Sequence, residues 1–275
     1  MKKLIHKFPI FSKYLLALLL FGICLILSGL INKGFIKEYF PYTSVILLFI
    51  ATWWLLKSDK QSLKSIGLNS SLRNWSFLPL GVLIGALCFF GAKYCRAVYL
   101  GESIEISESV NYSSLLISFY FILPQVATEE FLFRAYLFKK TINTTNVLIA
   151  NVLFSVLFML IHVLDENVLS NKGMIILLAI TIPVGHLLFA TALLKSKTLF
   201  FPIGLHLGNN WATRHLLVEG QSENSLMFIS ETTRFEAWTP FIMSILIFNG
   251  FFLLVTFLIW KWDVIFKRPL KIEAN

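Results

Sequence analysis

Charge is what this 275-residue chain has least of: Asp, Glu, Lys and Arg together make up 14% of it. A soluble domain carries roughly 25%. Hydrophobic residues reach 57%, Phe alone occurs 27 times, and mean hydropathy is +0.75. These figures exclude a soluble globular domain and leave a polytopic membrane protein. Cysteine is scarce as well: Cys24, Cys88 and Cys95 all lie in apolar runs and give no paired disulfide framework. Neither H-E-x-x-H nor G-x-S-x-G occurs. Their absence argues against a site-2-type zinc protease and against a serine hydrolase elbow. There is no low-complexity tract, no domain-sized soluble insertion and no inverted repeat of the kind common in transporters.

What is present is a series of apolar segments, at about 14–31, 43–56, 75–99, 113–138, 147–164, 174–194, 198–216 and 237–260. A crossing takes roughly 20 predominantly apolar residues. Helices are expected, because lipid cannot satisfy the backbone of an open strand and the segments lack the alternation of barrel strands. The expected fold class is therefore all-α: a polytopic membrane helical bundle of about eight transmembrane helices, one integral membrane domain over residues 1–275. Lys2, Lys3, Lys7 and Lys13 precede the first segment, which is too long for a signal peptide and lacks a small-x-small cleavage site.

Alternate loops sort the cations. Sixteen Lys and Arg fall in 1–13, 57–74, 139–140, 195–197 and 261–271, against Lys33, Lys37, Lys172 and Arg234 in the other set. The second set also collects acids, among them Glu102, Glu105, Glu108, Glu219, Glu223, Glu231 and Glu236. The positive-inside rule then places both termini in the cytoplasm. The net charge of +9 follows from topology and anionic lipid, which makes membrane lipid a partner and gives no case for nucleic acid.

The rare charges inside the apolar runs point to chemistry. In PQVATEEFLFRAYLF, Glu130 and Arg134 lie one helical turn apart and can pair. Glu129 points about 100° away and is left without a local partner. Intramembrane ionisable residues are costly and are read as functional by default. Phe158 and His162 are four apart in the next segments, as are His206 and Asn210. Three helices thus offer Glu129, His162, and His206 with Asn210. His186 and Asn209 are expected to make helix–helix hydrogen bonds or face water, and Arg214 and His215 to be interfacial. Gly81 and Gly85 form a small-xxx-small pattern for close helix contact.

Glu129-Glu130-xxx-Arg134, Phe158-xxx-His162 and His206-xxx-Asn210, in this order, resemble the CAAX protease and bacteriocin-processing enzyme family of intramembrane endopeptidases, which includes the type II CAAX prenyl proteases. The resemblance covers roughly 110–215, with SLKSIGL at 62–68 also similar; Ala135 stands where many relatives have glycine. It implies that Glu129 is the general base for a water, that His162 helps hold that water, and that His206 and Asn210 complete the water site and oxyanion hole. Glu130, Arg134 and Phe158 would support them. Glu129, His162 and His206 could instead hold zinc with an open position, or the carboxylate could act as base directly. The implied substrate is a lipidated or membrane-bound protein or peptide, and the expected location is a bacterial plasma membrane. Readings from other classes are a proton-coupled transporter and an immunity or scaffold protein. By helix rise, Glu129 and His206 lie ~15 and ~12 Å from the basic side, which suits a cavity reached from the cytoplasm. His162 comes out ~24 Å along its helix, so that helix, beginning near Thr144, is expected to protrude beyond the membrane on the basic side.

Overall fold

The computed structural model describes residues 9–265. Lys2, Lys3, His6 and Lys7, and Lys267, Arg268 and Lys271, which carry much of the expected placement of the termini, lie outside the described residues. The helices are α1 (Pro9–Ile31), α2 (Gly34–Tyr39), α3 (Thr43–Ser58), α4 (Leu72–Leu100), α5 (Tyr112–Arg134), α6 (Tyr136–Thr144), α7 (Val147–Val163), α8 (Glu166–Leu169), α9 (Lys172–Ser196), α10 (Phe200–His215) and α11 (Trp238–Ile265). All eight apolar segments are helical.

The structure refines the expected fold class. Among the described residues five helical stretches, α1, α4, α5 with α6, α9 and α11, are both long and apolar enough to cross a membrane, which does not bear out the full count of about eight. The α3 and α7 helices, of 16 and 17 residues, are apolar but short. The 16 residues of α10 carry His206, Asn209, Asn210, Arg214 and His215. Nor is the fold purely helical, because β1 (Ile104–Ile106), β2 (Leu217–Glu219) and β3 (Met227–Ile229) form a small sheet in the order β1-β3-β2. Its first pairing is antiparallel and its second parallel. Strands this short satisfy loop backbone, and Leu217 and Ile229 pack beneath them on Ala97.

The two ends of the bundle differ in charge as the loop alternation requires. Asp59 binds Lys13 and Lys140 and accepts a hydrogen bond from Tyr136. Lys139 reaches Ser65, and Lys195 pairs with Asp263. The sheet gathers the acidic loops at the opposite end.

Close backbone contact between α4 and α10 sets the centre. A Cβ on Gly81 would meet the Phe201 oxygen at 2.7 Å, and one on Gly85 the Leu205 oxygen at 2.0 Å. Reciprocally, Gly204 and Gly208 face the carbonyls of Leu78 and Val82 at 2.3 and 2.0 Å. The expected glycine pattern therefore meets a second one on α10, with no room for a side chain on either helix. SLKSIGL fixes where α10 begins. Gly67, at φ +70°, closes a 3-10 turn, and its carbonyl accepts hydrogen bonds from Thr198 and Asn74. The amide of Leu199 donates to the Ile66 carbonyl.

Candidate active site

The α5 helix enters from the sheet end, where Asn111 caps it by accepting from the Ser114 amide at 3.0 Å. Pro124 removes an amide, which frees the carbonyl of Tyr120 one turn earlier. The Tyr42 hydroxyl donates to that carbonyl at 2.8 Å. One turn past Pro124 the helix presents Glu129 and Glu130, and it ends at Arg134. Ala135, fully buried with ψ of −110°, breaks the axis before α6.

Glu130 and Arg134 are completely buried and pair at 2.8 Å, as their spacing predicts. The pair belongs to a larger network. Glu130 Oε1 also accepts from His206 Nδ1 at 2.8 Å, and an Arg134 amino group meets His186 Nδ1 at 3.2 Å. Because the guanidinium can only donate, His186 Nδ1 accepts and its proton sits on Nε2. The expected helix–helix bond of His186 therefore joins α9 to α5. Phe158 lies 4.3 Å below the Arg134 guanidinium, and Phe189 stacks on His206 at 4.7 Å and 17°. A buried charge pair is tolerable only when such hydrogen bonds and aromatic faces replace water around it.

Glu129 sits outside this knot. Its side chain keeps 15% exposure, and Oε2 has no hydrogen-bond partner, lying 3.6 Å from His206 Nε2. Gln125, one turn earlier on α5, donates to Glu129 Oε1 at 3.3 Å and accepts from Arg214 at 3.0 Å. Arg214 is thus more than an interfacial anchor. His162 donates from Nδ1 to the Phe158 carbonyl at 2.8 Å, since a carbonyl can only accept, and this leaves Nε2 as an acceptor. Asn210 accepts from Asn209 at 3.3 Å.

Glu129, His162, His206 and Asn210, together with Phe158, line one cavity of about 550 Å³. The connection through α6 explains how His162 reaches it. From Arg134 to Thr144 the chain descends ten residues, ~15 Å, and from Val147 to Phe158 it climbs back eleven, ~16 Å. That return brings Phe158 under Arg134 and His162 one turn above it.

One further expectation fails on this geometry. The cavity does not lead to the basic end. It extends past Asn210 and Thr213 to Lys93, Arg96, Glu219 and Phe235, toward the sheet. Distances along a single helix do not tell which end is plugged; at the basic end Phe201, Leu205 and Leu199 are fully buried. Among the described residues no group of three His, Cys, Asp or Glu side chains is placed to hold a metal ion. His206 Nδ1 is already committed to Glu130.

Sequence reasoning missed Gln125, Phe189 and the Glu130–His206 bond. Gln125 was detectable in principle, since it lies one turn from Glu129 on the same face. Phe189 carries no local signal among 27 phenylalanines.

Residues 111–212 match the family model described as Type II CAAX prenyl endopeptidase Rce1-like. The matched stretch is 102 of the 275 residues and contains every residue of the three motifs, so the likeness to that family is one of this stretch. No curated protein and no solved structure matches the chain.

Proposed function

We propose that the protein is an intramembrane endopeptidase that hydrolyses a peptide bond near the C-terminus of a lipidated (CAAX-type) or membrane-associated protein or peptide. The observation that carries this reading is Glu129: a partly buried carboxylate that lines the cavity and has one oxygen without a hydrogen-bond partner, beside a histidine held from behind by a second carboxylate. Membrane residence follows from the long apolar helices and the family, and a bacterial plasma membrane is the proposed location.

In the proposed reaction, a water is held between Glu129 Oε2 and the acceptor Nε2 of His162. Glu129 takes a proton from it as the oxygen attacks the scissile carbonyl carbon. The carbonyl oxygen becomes an oxyanion, which the Asn210 amide and His206 stabilise. Glu130 holds His206 through Nδ1, and Arg134 in turn holds Glu130. The C–N bond then breaks, and Glu129 returns the proton to the leaving nitrogen. Every atom is accounted for by substrate, water and these side chains.

The test is cleavage of a quenched, farnesylated CAAX peptide by detergent-purified protein, wild type against Glu129→Ala, with and without a zinc chelator. Cleavage lost in the variant and retained with chelator supports the carboxylate-base reading. Chelator-sensitive cleavage assigns the water to a metal, and no cleavage of this or other membrane peptides by wild type would overturn the protease reading.

A further inference from the structure

The cavity contains one charge that the proposed chemistry does not use. Lys93, on α4, lines it, is only 9% exposed, and among the described residues makes no hydrogen bond or ion pair. Its one close neighbour of note is the Phe89 ring, 5.9 Å from the ammonium. The nearest charges are otherwise engaged or apart. Arg96 pairs with Glu102 at 3.5 Å, and Glu102 also accepts from the Thr233 amide at 3.0 Å. Glu219, exposed on β2 at the cavity rim, attracts the Lys93 ammonium from beyond ion-pair distance and leaves its donors without a contact. An ammonium this deep without a partner is expensive and calls for an anion.

The route from Glu129 to Lys93 has the form of a peptide track. Gly85 packs on Leu205, the neighbour of His206. Lys93 is eight residues further along α4, ~12 Å by helix rise, the length of about three to four extended residues. The cavity is lined by Gln125, Asn210 and Thr213, which can hydrogen-bond a peptide edge, and by Phe89, Phe189 and Phe248, which offer apolar faces.

We infer that Lys93 binds the free C-terminal carboxylate of the substrate, and so sets how far from the end of the chain the cut falls. The inference rests on the endopeptidase reading and adds the feature the substrate must carry. A phospholipid headgroup would supply an anion too, but it has no peptide edge to occupy Gln125, Asn210 and Thr213.

Binding, measured apart from cleavage, tests this. Full-length Glu129→Gln protein in nanodiscs of phosphatidylcholine would be titrated with a dansyl-labelled apolar heptapeptide, as the free acid and as the C-terminal amide. The acid should bind at least about ten-fold tighter, the preference expected of a buried charge-assisted contact. Lys93→Met should abolish the difference and Lys93→Arg should retain much of it. Equal binding of acid and amide by the Lys93 protein, or no saturable binding of the acid, overturns the inference even if Lys93→Met fails to fold. A preference that survives in folded Lys93→Met also overturns it. So does Lys93-dependent displacement of both peptides alike by phosphatidylglycerol, which would assign the site to a headgroup. Cleavage of the same acid peptide by the wild-type enzyme reports separately on the endopeptidase reading.

Discussion

Gly208 lies two residues past His206, on the side of α10 that faces α4. A methyl group added there would stand 2.0 Å from the Val82 carbonyl oxygen, where ordinary contact begins at 3.4 Å. The obstacle is backbone and cannot swing aside. Gly208→Ala must therefore separate the two helices by the difference, about 1.4 Å. Overpacking of this kind costs ~1–3 kcal/mol of stability, which a well-packed membrane bundle can survive. Activity should suffer more than stability, because His206 and Asn210 ride on α10 while Glu129 does not. A misplacement of ~1 Å costs about 100-fold in rate, so kcat/KM for the farnesylated peptide should fall by at least about that factor, roughly 2.7 kcal/mol. Thermal unfolding and size-exclusion chromatography in detergent would establish that the variant folds. Gly250→Ala, with nothing within 4 Å of the new methyl, should match wild type in both assays. A folded Gly208→Ala protein with wild-type kcat/KM would refute the claim that this helix contact sets the site geometry.

Other expectations follow from the network. Glu129→Gln should leave thermal stability close to wild type, because Glu129 stands outside the buried knot, while cleavage drops by ~10²–10⁴-fold, the range for losing a general base. Glu130→Gln or Arg134→Met alone should cost ~3–5 kcal/mol, since each strands a buried charge, and the double variant should cost clearly less than the two together; strict additivity in thermal or denaturant unfolding would contradict the pairing. Tyr42→Phe should lose about 1 kcal/mol by leaving the Tyr120 carbonyl unpaired beside Pro124, seen as a lower unfolding temperature with kcat unchanged.

Helical spacing made part of the site readable in the chain. Glu130 and Arg134, Phe158 and His162, and His206 and Asn210 are each one turn apart, so the face they share is written in their numbering. Relations across helices have no such signature. Nothing within 130–134 indicates that His206 would complete the pair, or that Phe189 would cover it. The strands escaped notice because IEI, LVE and MFI are three residues each, too short for alternation to register. The apolar segment 198–216 runs one residue past the end of α10, because Leu216 continues the apolar run from His215 into the sheet. The route of the cavity depends on which helix ends are plugged by Leu199, Phe201 and Leu205, a three-dimensional fact that distances along a single helix do not contain.

Membrane chains are inserted from the N-terminus onward, so α5 meets lipid before α9 and α10 have been synthesised. At that moment neither His186 nor His206 exists, and Glu130 and Arg134 have only each other. Each charge alone would add ~2.5–3.5 kcal/mol to the cost of insertion. One-turn spacing lets the two neutralise one another within the helix, without waiting for a partner from elsewhere. Glu129 has no such companion, and it is Gln125, on the same helix and made earlier still, that offers its carboxylate a hydrogen bond. The charges that arrive first are thus housed by α5 itself, and the histidines made later dock onto a helix already electrically settled.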